Sequence, residues 1–107
     1  MLSKDLPELQ QTQTILRNAY GERLKNIILF GSLARGQEDP DSDIDLMLLL
    51  DGPFDYWSEL RYTVDLLAPL QLKSPRYISP KIARYADFMR GSTQLYKNIQ
   101  HDGIVLG

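Results

Sequence analysis

A single small α/β domain is what this sequence predicts, and three observations predict it. Two strand-sized apolar runs, Leu24–Phe30 and Ile44–Leu50, sit between segments whose apolar residues recur at helical spacing. The 107 residues, 43% hydrophobic and 24% charged, suffice for one modest core and leave no room for a second domain, so residues 1–107 are read as one unit. No apolar run approaches the ~20 residues of a membrane span, and Met1 to Asp5 lacks an apolar signal core.

The elements follow in order. Leu6 to about Tyr20 reads as an amphipathic helix with Leu6, Leu9, Leu16, Ala19 and Tyr20 near one face, its start capped by Asp5 with Glu8 and its end set by Gly21. Leu24–Phe30 is the first core strand. After a Gly-Ser turn, from which Ser32 is placed to cap a helix starting at Leu33, a polar stretch from Gln37 to Ser42 leads to the second strand, Ile44–Leu50. The two are expected to be buried neighbours. Asp51-Gly52-Pro53 is turn chemistry, and Trp57, Leu60, Val64, Leu67 and Leu70 then recur at spacings of three and four, which predicts a second helix ending before Pro75. Arg76 to Tyr85 alternates in polarity and reads as a strand whose Pro80 demands an edge or a bulge. A last helix is expected over Ser92 to Gln100, ending near Gly103, with a short strand over Ile104-Val105-Leu106.

Bulk charge narrows the chemistry. A formal charge of −2 and a pI near 5.2 supply no basic footprint for stable non-specific nucleic-acid binding. The absence of cysteine removes disulfides, thiolate metal sites and thiol nucleophiles and suits a reducing compartment, so a cytoplasmic location is expected. Carboxylates must supply any metal chemistry. Asp43 and Asp45, two apart on a strand, point to one face while Ile44 points to the other. Such a pair repels itself unless a cation neutralises it, and hard oxygen ligands suit Mg²⁺ bridging to phosphates. Gly31, directly after the first strand, permits a sharp turn that brings backbone N–H groups close to a ligand, and the helix expected to start at Leu33 would offer free amides to phosphate oxygens. Gly31 and Ser32 are thus candidates for nucleotide binding, and Arg35 either joins them or pairs with Glu38.

Two familiar loops are excluded. A calcium loop from Asp39 fails because its sixth and twelfth positions are Ile44 and Leu50, and no Gly-Lys-Ser/Thr follows the Gly-Ser turn as a P-loop requires. His101, near a terminal turn, is expected at the surface. Tyr56, Trp57, Tyr62, Tyr77, Tyr85 and Phe88 are expected to pack helices onto the sheet rather than stack on a base.

Gly31-Ser32, ten intervening residues and Asp43-Ile44-Asp45 resemble the signature of the DNA polymerase beta-like nucleotidyltransferase superfamily. The wider context, Gly31-Ser32-Leu33-Ala34-Arg35-Gly36 and Ser42-Asp43-Ile44-Asp45-Leu46, is similar to its minimal branch, the MNT proteins, and the segment Leu95 to Leu106 resembles their C-terminal end less specifically. The resemblance implies a short mixed sheet flanked by helices and Mg²⁺-dependent transfer of a nucleoside monophosphate from a triphosphate, with ATP expected, to a hydroxyl. It also implies a HEPN-domain toxin as partner, for which such proteins act as antitoxins, some by adenylylating it. Asp43 and Asp45 would be the catalytic metal ligands. The superfamily usually sets a third carboxylate on a later strand, yet Arg76 to Tyr85 contains none. Val64-Asp65-Leu66-Leu67 looks like the strand that carries it in many MNT proteins, which makes Asp65 a candidate metal ligand. Against this, only 19 residues lie between Asp45 and Asp65, and the helical periodicity places Asp65 on a solvated face.

Overall fold

The computed structural model describes residues 6–37 and 41–107. Helix α1 runs Pro7–Tyr20, strand β1 Leu24–Phe30, a one-turn helix α2 Gly31–Ala34, strand β2 Ile44–Leu50, helix α3 Tyr56–Lys73, strand β3 Ile78–Arg84, helices α4 Tyr85–Arg90 and α5 Gln94–Asp102, and strand β4 Ile104–Val105. The four strands form one mixed sheet in the order β3-β2-β1-β4, with β2 antiparallel to β1, β4 antiparallel to β1, and β3 parallel to β2. The parallel pair is made possible by α3, whose 18 residues carry the chain back across the sheet.

Alternation along β2 divides the interior. Ile44, Leu46, Leu48 and Leu50 pack with Leu9, Leu16 and Tyr20 of α1 and Leu67 and Leu70 of α3 in the larger core. Met47 and Leu49 point the other way, packing with Ile28, Ala83, Phe88 of α4 and Ile99 of α5 in a smaller one. Helices therefore cover both faces, which is why β2 is apolar at nearly every position. Pro80 is accommodated because β3 is an edge strand.

Several expectations need correction. Pro7 occupies the first turn of α1, where its missing N–H costs nothing, and no side chain caps this helix among the described residues; Asp5 lies outside them. Ala19 is exposed, whereas Thr12 is buried, its hydroxyl donating to the Glu8 carbonyl at 2.7 Å. The helix after β1 starts at Gly31, not Leu33, and Phe30 rather than Ser32 stands at its cap position. In α3 the buried positions are Thr63, Leu67 and Leu70, while Trp57 and Val64 are 74% and 47% exposed. The inward face is thus rotated from the one that hydrophobicity alone selects. Tyr56, Tyr62 and Tyr77 are likewise exposed, and of the expected packing aromatics only Phe88 is fully buried. Helix α4 follows β3 without a loop and was not anticipated; Gly91, at φ 62°, ends it.

Candidate active site

The site forms where the end of β1 meets the start of β2. Antiparallel register sets Phe30 opposite Asp45, which brings the turn at Gly31 against the Asp45 side chain. The approach is close enough to dictate the residue: Gly31 has φ +76°, and a Cβ there would lie 2.3 Å from Asp45 Oδ2. Any side chain at this position would meet both a backbone penalty and the carboxylate itself. The Arg35 N–H donates to the carbonyls of Gly31 and Ser32, and that of Gln37 to Ser32, so the turn is held by its own backbone.

Asp45 is half-buried and Asp43, just before the strand, is exposed. Burial pushes the Asp45 carboxyl above its ordinary range, the charge of Asp43 pushes it further, and Lys81 and Arg35 pull it back. Those four charges therefore share one field. Arg35 is exposed and forms no ion pair among the described residues; its alternative partner, Glu38, lies outside them. The Ser32 hydroxyl, too, makes no hydrogen bond among the described residues.

The structure gathers Gly31, Ser32, Arg35, Asp43 and Asp45 into one place. It does not bring Asp65 there. Asp65 is exposed in the middle of α3, which packs on the face formed by Ile44 and Leu46, opposite the one to which Asp45 belongs. No group of three acidic or histidine side chains able to share a metal ion exists among the described residues. The strand beside the carboxylates is β3, where parallel register sets Ser79 next to Asp45 and Lys81 next to Met47. Lys81 had escaped the sequence reading. It comes 36 residues after Asp45, and only the strand register reveals that they share a face.

Two carboxylates within one field, one of them raised by burial and by the other's charge, make a donor set suited to one hard divalent cation such as Mg²⁺. Asp43 and Asp45 would hold it.

The nucleotidyltransferase domain family matches residues 9–99. The chain belongs to that family. A protein of Methanocaldococcus jannaschii named "Putative protein adenylyltransferase MJ0604" is 35% identical over 92 residues, spanning 85% of this chain and 86% of that protein. A crystal structure of a mutant of the toxin-antitoxin MntA-HpeT has a chain with the same fold, at a TM-score of 0.66 and 22% identity, covering 95% of this chain and 73% of that one. Within the nucleotidyltransferase domain, the match encloses the Gly-Ser turn, both carboxylates and β3.

Proposed function

We propose that this nucleotidyltransferase moves AMP from ATP to a hydroxyl on a partner protein, a HEPN-domain toxin, and so acts as its antitoxin. The observation that carries this reading is the seating of Asp45 on Gly31, which joins the carboxylate pair and the Gly-Ser turn in one site. The relative named as a protein adenylyltransferase and the fold shared with a toxin-antitoxin chain support the choice of acceptor class.

In such a transfer the acceptor oxygen attacks the α-phosphorus, the bond from that phosphorus to the bridging oxygen breaks, and pyrophosphate leaves with the electron pair as the hydroxyl proton passes to water. Bound Mg²⁺ would supply charge neutralisation and Lewis acidity at the phosphates. Asp43 and Asp45 would hold it. The Gly31 turn lets the triphosphate approach the backbone, the free Ser32 hydroxyl offers a hydrogen bond to a phosphate oxygen, and Arg35 adds a positive charge beside it. The small domain leaves little wall to enclose both substrates, so the partner completes the site by bringing its own hydroxyl.

A second reading has one observation in its favour. Ser79, not a carboxylate, stands beside Asp45 on β3, as it would in a module that neutralises its partner by contact alone. Incubation with the HEPN partner, ATP and Mg²⁺ separates the two. Transfer adds one AMP mass to the partner in intact mass spectrometry, and Asp43→Ala with Asp45→Ala abolishes it. An unchanged partner mass together with neutralisation by the double variant leaves only the contact reading.

A further inference from the structure

We propose that Lys81 is a phosphate-binding residue of this site, its ammonium standing in for a third carboxylate with its own divalent cation, so that the chain uses one metal ion where a three-carboxylate site holds two. The inference rests on the nucleotide-binding reading above and deepens it.

Register makes the first part of the case. Asp45, Met47 and Leu49 share one face of β2, and their partners across the parallel pairing are Ser79, Lys81 and Ala83. Met47, Leu49 and Ala83 are buried together, which fixes that face, so Lys81 emerges on the same side as Asp45, one pleat repeat along from the serine beside it. Its side chain is long enough to reach back over Ser79, which is too short to block it. Lys81 is exposed and has no ion-pair partner among the described residues, so its charge is uncommitted.

Charge accounting makes the second part. Two carboxylates with one divalent cation are neutral, so the net attraction for an entering triphosphate must come from side chains around them, of which Arg35 supplies one positive charge. A third carboxylate with a second divalent cation would contribute one net positive charge. An ammonium contributes the same single charge without any metal. A lysine is also the residue type that binds phosphate as a movable point charge, whereas a bidentate fork suits fixed geometry.

The test measures binding, not turnover. Titration of the full chain with α,β-methylene-ATP and with inorganic triphosphate, each with Mn²⁺, should give one Mn²⁺ per chain by calorimetry and by electron paramagnetic resonance. Lys81→Ala should weaken both phosphate ligands at least tenfold while leaving the melting temperature in place, and Lys81→Arg should restore most of the loss. Ser79→Asp combined with Lys81→Ala should bind a second Mn²⁺. Unchanged affinity in Lys81→Ala, or two Mn²⁺ ions in the unmodified chain, overturns the role of Lys81 and leaves the site itself standing. Failure of the unmodified chain to bind either ligand, with Asp43→Ala and Asp45→Ala no different, sinks the nucleotide site and this inference together.

Discussion

Asp45 is the residue at which function and stability pull apart. Its carboxyl is held above the ordinary range by burial and by the charge of Asp43, against the opposing pull of Lys81 and Arg35. A carboxyl raised in the folded state favours folding while it is protonated in both states, at pH below about 4. That contribution is lost as pH rises through the folded-state value, so at neutral pH its charge is a cost to the fold. Asp45→Asn is therefore expected to raise the melting temperature at pH 7 and to leave it unchanged at pH 3, a difference that thermal melts followed by circular dichroism will show. Saturating Mg²⁺ should stabilise the parent protein, by about 2.7 kcal/mol at a hundredfold excess over its dissociation constant, and do nothing for the variant. An equal melting temperature at both pH values would contradict this account. At this scale much of the site was legible: Gly31, Asp43 and Asp45 announce themselves because turn chemistry and a two-residue carboxylate spacing are local properties. Lys81 is not local, and its place depends on a strand pairing that one sequence does not display.

Secondary structure was most legible where burial is two-sided. β1 and β2 match the expected Leu24–Phe30 and Ile44–Leu50 to the residue, because strands covered on both faces read as near-continuous apolar runs, interrupted here at Lys25 and Asn26 in β1 and at Asp45 in β2. The helix α3 was found but its inward face was not, and Thr63 explains the error. Thr63 is fully buried, and its hydroxyl donates to the Glu59 carbonyl at 2.9 Å, which leaves it to accept from the Tyr20 hydroxyl at 2.6 Å. Tyr20 also meets Tyr62 edge-on and lies beneath the Arg23 guanidinium, itself paired with Glu59. A polar residue with its partners satisfied thus faces inward, while hydrophobicity counting favoured Trp57 and Val64. Thr63→Val keeps the shape and strands the Tyr20 hydroxyl, at a cost of about 1–2 kcal/mol, or a melting temperature lower by roughly 4–8 °C per kcal/mol. Adding Tyr20→Phe should return part of that loss, since the stranded group is then gone. A double variant less stable than the sum of the single changes would argue against the bond as the link between α1 and α3. Helix α4 escaped notice because its six residues are too few to establish a period.

At the scale of the molecule, the arrangement separates scaffold from chemistry. One face of the sheet carries α1, α3 and the larger core; the other carries the small α4 and α5, with Asp45 and Lys81 on that side. No helix is long and apolar enough to cross a membrane among the described residues. The acidic balance and pI near 5.2 offer no broad basic surface, and the positive charges acting on Asp45 are those of Lys81 and Arg35. The outward turn of Trp57 has a practical consequence of its own. It is the only tryptophan in the chain, 74% exposed, with Tyr56 edge-on at 5.1 Å. Its fluorescence should already resemble that of a hydrated indole in the native protein, so denaturant will barely shift the emission maximum even as circular dichroism reports loss of structure. The same indole will move to shorter wavelength when another surface covers the start of α3. The chain thereby carries a native optical reporter that is nearly silent to unfolding and responsive to contact.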